Sequence, residues 1–315
     1  MDMNACKLAL AALGVTLLPL AANAADAESC RAVRMSDLGW TDISLTNTTA
    51  AVILETLGYQ PTQTLLGLNV TYEMLKSKQL DIFLGNWRPV QDEQFKAYFD
   101  DKSVEPLAIN LEGAKFTLAV PKYVADAGVK SYDDLAAHAD KFEKKIYGIE
   151  PGSNQPLLDM ITAGNHKLTG WEVVESSEAA MLMQVAKTTK SKDWVVFLGW
   201  EPHPMNLMYD LTYLSGGDKE YGPNFGGATV RTIARGGYAA ECPNATKLFS
   251  NLVFDLKYEN IGMDMISNKG LSAEDAAKQM MKDNPEKLDA WLAGVTTFDG
   301  SPALPVVQAA LGLKP

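Results

Sequence analysis

Three tryptophans sit where their ring faces could hold a ligand. Trp40 follows the short apolar run of residues 31–35 and the turn Asp37-Leu38-Gly39, Trp87 closes Phe83-Leu84-Gly85-Asn86, and Trp200 closes Phe197-Leu198-Gly199. The last two segments echo each other, down to a proline two residues after the indole, Pro89 and Pro202. Each run reads as a buried strand that delivers its tryptophan to the loop beyond its carboxyl end, which is where open α/β sheets bind ligands. Large apolar rings in such a place call for something to cover them. A quaternary ammonium ion fits that need: it carries charge but no N–H, so aromatic faces must hold it, and each desolvated contact is worth about 2 kcal/mol. Trp171, Trp194 and Trp291 read instead as core residues.

Polar groups flank the same positions. Asp42, two residues after Trp40, offers a carboxylate and is equally suited to cap a helix starting at Ile43. Ser153 and Asn154 precede a predicted helix, where exposed backbone N–H groups and a side-chain amide can meet a ligand oxygen, although turn chemistry alone accounts for them as well. His203 lies near the same cleft. With His138 and His166 it is too dispersed to suggest a metal site, and each histidine reads as a surface or structural residue. No G-x-S-x-G, G-x-G-x-x-G, P-loop or H-E-x-x-H motif is present, so no enzyme activity, no cofactor and no metal is expected.

The elements that must position these groups alternate. A helix over residues 45–57 ends at Gly58, a strand is predicted over 62–68, a short helix over 71–77, a strand over 81–84 and a helix over 90–99. This alternation with short connections predicts an α/β architecture with a parallel sheet covered by helices. A new strand begins at Gly113, and Ser131 with Asp134 predicts a capping box for a helix of about ten residues. Residues 145–149 read as a strand, Ser176 or Ser177 caps a helix, and residues 211–214 are expected to carry the chain back to the first lobe. Helices are predicted over 247–260, from the Ser272 cap to Met281, and over 285–292. The organisation expected is a hinged clamshell: a signal peptide over residues 1–24, a first lobe from 25–112 and 211–315, and a second lobe from 113–210.

The 315-residue chain carries 28 Lys and Arg against 39 Asp and Glu, a formal charge of -11 that argues against nucleic acid and modestly favours a cationic small molecule. The apolar stretch 8–22 after Lys7, closed by Ala22-Asn23-Ala24, predicts a cleaved export signal that also removes Cys6. The remaining pair, Cys30 and Cys242, reads as one disulfide in an oxidising compartment.

These residues resemble the choline-binding periplasmic proteins of ABC importers, within the glycine betaine, carnitine and choline group. The likeness covers essentially the whole mature chain, on the segments 33–42, 83–87, 147–152, 196–206 and 211–218. It implies a type II periplasmic binding fold of two α/β lobes joined by a two-stranded hinge, and an aromatic box fed by both lobes. It further implies an acidic residue near the choline hydroxyl, a monomer, and an ABC permease in the inner membrane as partner. Trp40, Trp87, Trp200 and Asp42 fall on family positions, and Cys30 and Cys242 on its disulfide. Two departures stand out. Phe116 replaces a tyrosine as the fourth ring, and a shortened turn places Ser153, with Asn154 beside it, where the family supplies an asparagine. The function expected is capture of a quaternary ammonium compound, choline first, with carnitine or glycine betaine as alternatives and an exported choline-ester hydrolase as a reading from another class.

Overall fold

The computed structural model of the chain describes residues 26–313; the expected signal peptide and Cys6 lie outside them. One nine-stranded mixed sheet runs through both lobes. In the first lobe β1 (Ala32–Asp37) pairs in parallel with β2 (Gln60–Leu65) and β3 (Ile82–Arg88). The crossover from β1 is helix α1 (Thr41–Thr56), and that from β2 is helix α2 (Leu68–Lys76). In the second lobe β5 (Lys145–Tyr147) pairs in parallel with β6 (Glu172–Val174) and β7 (Phe197–Glu201). Parallel strands need covered faces, and residues 82–87 of β3 and 197–200 of β7 are accordingly buried throughout.

The lobes are joined by long antiparallel strands. β4 (Val104–Pro121) is a single 18-residue strand that begins well before the start expected at Gly113 and so runs through the expected lobe boundary, and its far end pairs with β7. The short strand β8 (Leu211–Tyr213) lies against Ala119–Pro121 of β4, so residues 211–214 extend the second-lobe sheet instead of recrossing. Recrossing belongs to β9 (Gly227–Arg235), which runs antiparallel to β4 from Lys115 back to Val104 and then pairs with β3. The hinge is therefore β4 and β9, two strands hydrogen-bonded to each other.

Several helices differ from their predicted extents. Residues 89–95 form turns, and the helix there is only Lys96–Asp100. The capping box of Ser131 and Asp134 is present, but its helix is Tyr132–Leu135, four residues continued by a short 3-10 segment. A cap fixes where a helix starts and says nothing of its length, which depends on the apolar face beyond it. The segment 247–260 splits into Pro243–Asn251 and Leu256–Ser267, with Asp255 capping the second. Ser177 and Ser272 cap as predicted. Cys30 and Cys242 are bonded, with Cα atoms 5.6 Å apart across 212 residues of sequence.

Candidate functional site

Both echo segments place their tryptophans inside strands, near the carboxyl ends of β3 and β7, whereas the sequence reading put them in the loops beyond. The two segments differ by one residue, Asn86, which on a regular strand would turn Trp87 to the opposite face. A register shift between Phe83 and Asn86 in the pairing of β3 with β9 absorbs the extra residue. Gly85 and Gly199 then allow close packing: a Cβ on Gly85 would meet Ile43 Cδ1 at 2.7 Å, and one on Gly199 would meet Ala119 Cβ at 2.9 Å.

Trp40, Trp87, Phe116 and Trp200 line one cavity between the lobes together with Asp42 and Ser153. The Phe116 ring stands between two indoles, 6.1 Å from Trp87 and 6.2 Å from Trp200 between centroids, tilted at 52° and 43°. Rings so tilted do not stack face to face on one another, which leaves ring faces free to meet a guest. All four rings and Asp42 are buried. The other lining residues, Leu68, Val90, Gln91, Gln94, Ile149 and Pro156, add no formal charge, so Asp42 is the only charged side chain of the lining.

Asp42 sits in the first turn of α1, which begins at Thr41, two residues before the start at Ile43 that Asp42 would have capped. Its carboxyl is pushed up to about 7, by burial first and by the charge of Glu178 second, against opposing hydrogen bonds from the Ile43 backbone and the Trp87 side chain. Behind it Glu259, buried and facing Asp42 and Asp255, is held well above the ordinary carboxylate range, again mainly by burial. The cavity thus sets four aromatic rings around one buried carboxyl, Asp42, with no Lys or Arg in its lining.

Two sequence candidates do not reach the cavity lining. The Asn154 amide is buried in its own turn: Oδ1 accepts from Ile149 N at 2.9 Å, and Nδ2 donates to Ile149 O at 2.8 Å and to Glu175 Oε1 at 2.9 Å. It braces the turn that presents Ser153, whose hydroxyl donates to Glu150 Oε1. His203 is buried behind Trp200, with ring centroids 5.1 Å apart. Its Nδ1 accepts from Met205 N at 3.0 Å, which leaves Nε2 to donate to Glu178 Oε1 at 3.2 Å. Of the other histidines, His166 lies 2.8 Å from Asp133 and His138 packs on Trp194. No group of three His, Cys, Asp or Glu that could hold a metal occurs among the described residues.

Sequence reasoning missed Glu150 and Glu178. Both come from the second lobe and grip the first. Glu150 accepts the Trp40 indole N–H with both oxygens at 3.0 Å, and burial raises its pKa while Ser153 and Trp40 oppose the rise. Glu178 Oε2 accepts from Thr41 N at 3.2 Å, and Oε1 accepts from the Thr41 hydroxyl. Gln94 adds a third bridge, donating to Gly152 O at 3.0 Å. Partners 110 and 137 residues apart leave no local pattern in a sequence.

Residues 31–283 match the family of substrate binding domains of the ABC-type glycine betaine transport system. The chain belongs to that family. It is 53% identical to an ABC-transporter choline binding protein solved in complex with choline, covering 91% of this chain and 100% of that one, with a TM-score of 0.90. Against a choline binding protein in an unliganded semi-closed conformation, at the same identity and coverage, the TM-score is 0.83. The chain therefore superposes better on the liganded form, in keeping with the three bridges across the cleft. A glycine betaine/carnitine transport binding protein of Listeria monocytogenes is 30% identical over 172 residues, 54% of this chain and 56% of that protein. The molecule is a substrate-binding protein with two α/β lobes of the periplasmic binding type. Among its described residues no helix is long and apolar enough to cross a membrane.

Proposed function

We propose that the chain captures choline in the aromatic cavity and delivers it to the membrane permease of an ABC importer, after export to the periplasm with loss of residues 1–24. The observation that carries the ligand is the pairing of four aromatic rings with Asp42 in a lining that holds no Lys or Arg. Trp40, Trp87, Phe116 and Trp200 take the trimethylammonium head, and Asp42 accepts a charge-assisted hydrogen bond from the hydroxyl. Glycine betaine would bring a carboxylate towards Asp42 with no cation of the lining to receive it. Carnitine shares the hydroxyl, but its carboxylate finds Ser153 already donating to Glu150 and the Asn154 amide committed to its turn. The similarity to a protein solved with choline supports placing choline first.

Calorimetry with choline, carnitine and glycine betaine side by side tests this reading. Choline is expected to bind most tightly and betaine least. Tighter binding of betaine than of choline would overturn the assignment of ligand while leaving the box in place. Incubation with acetylcholine is expected to release no choline, and release would favour the hydrolase reading.

A further inference from the structure

The cleft is closed by carboxylates that meet at one dipeptide. Trp40 is the N-cap residue of α1, and no side chain of its own segment caps that helix. Glu178, from the far lobe, takes its place: its carboxylate holds the first amide and the hydroxyl of Thr41, where the helix dipole favours a negative charge. His203 orients that carboxylate from behind, and Glu150 fixes the neighbouring Trp40 ring by its N–H. These contacts exist only while the lobes are together. They also set Glu178 within charge range of both Asp42 and Glu150, with Glu259 within range of Asp42. Shutting an empty cleft would crowd these acids in a medium of low dielectric, where like charges repel strongly.

We propose that Glu150 and Glu178 form a clasp of positioning residues that shuts the cleft on a cation and not on a neutral guest of the same shape. The clasp rests on the reading of the cavity as a quaternary ammonium site. The ligand's positive charge offsets the crowding of the acids, and the closed clasp in turn holds Trp40 and the first turn of α1, with Asp42, against the ligand. Binding and closure thus share one set of charges, and the two carboxylates act without touching the ligand.

The test compares choline with 3,3-dimethylbutan-1-ol, in which carbon replaces the nitrogen, in the unmodified chain and in Glu150→Gln and Glu178→Gln. Each variant keeps an acceptor oxygen and loses the charge. No ring of the cavity is replaced in either variant, and what changes is the charge that holds Trp40 and Thr41 from the far lobe. Choline is expected to leave both variants at least about tenfold faster, the factor that the loss of one charge-assisted bond implies, with a smaller effect on its entry. The alcohol should bind no more weakly than before, so that the preference for choline falls, and melting temperatures without ligand should not drop. Thr41→Val serves if Glu178→Gln fails to fold: it removes a bond of the clasp but no charge, and should speed choline release while leaving the preference largely intact. Equal weakening of both ligands, or unchanged release, would overturn the clasp and leave the choline reading standing. Failure of the unmodified chain to bind choline, with glycine betaine bound instead, would remove the choline reading, and unchanged betaine release in the variants would then overturn the clasp as well.

Discussion

Asp42 is the residue whose charge the site controls most directly. Its carboxyl is raised to about 7 by burial and by Glu178, so the folded, unliganded protein holds this proton more tightly than the unfolded chain does. Stability from that group is complete below its unfolded value of 3.8 and is lost as pH rises through about 7. A bound cation favours the ionised form, and the sign for binding is therefore opposite. Choline affinity is expected to climb as pH rises towards about 7, by at most about tenfold per unit, and to level off above. Calorimetry in a series of buffers reads this, and Asp42→Asn should flatten the slope and weaken choline more than betaine; a flat profile in the unmodified protein counts against Asp42 as acceptor. The rings give a second expectation. Trp87→Ala or Trp200→Ala removes a face worth about 2 kcal/mol and should weaken choline about thirtyfold. Unchanged affinity in either variant would mean the box is misassigned.

The strand β4 sets the fourth ring, and a neighbouring loop sets the strand. Gly226 lies in the left-handed region at φ +70°, and a Cβ on it would stand 2.0 Å from the carbonyl oxygen of Phe116. Gly226→Ala must therefore push β4 away from the loop at the residue whose ring stands between Trp87 and Trp200. We expect it to destabilise the fold by about 1–3 kcal/mol and to weaken choline, as both backbone strain and overpacking act there. Thermal melts with and without choline separate the two effects. Wild-type melting and affinity together would show that the loop yields instead of the strand. The bulge in β3 is the matching device in the other lobe, since it turns Trp87 to the face the box requires.

For the molecule as a whole, the disulfide and the cleft are separate sources of stability. Cys30 precedes β1, at the opposite end of that strand from Trp40, and it joins Cys242 to close a loop of more than two hundred residues. By the chain-entropy argument this link stabilises the fold by about 5 kcal/mol, less any strain. Replacing both cysteines by serine should lower the urea midpoint accordingly and leave choline affinity within about twofold, a loss of stability without a loss of the site. A large fall in affinity in the folded double variant would instead tie the bridge to the geometry of the cleft.

The α/β class, the two lobes and the three tryptophans that line the cavity could be read in the chain because each rests on local pattern: apolar runs of strand length, caps such as Ser177 and Ser272, and an indole at the end of a strand-like run. Resemblance added Phe116 and the position of Ser153. Strand ends and the recrossing at β9 were not legible, since pairing between distant segments decides where a strand stops, and β8 carries the same local pattern as a strand that would recross. The same limit hid the carboxylates. Glu178 looks like the acidic start of a capped helix and Glu150 like one residue of a turn, and each acquires its partner only when the lobes bring Trp40 and Thr41 within hydrogen-bond reach. His203 and Asn154 stand outside the cavity lining for the complementary reason: a sequence shows which polar groups a segment has, and packing decides whether their donors and acceptors are already taken.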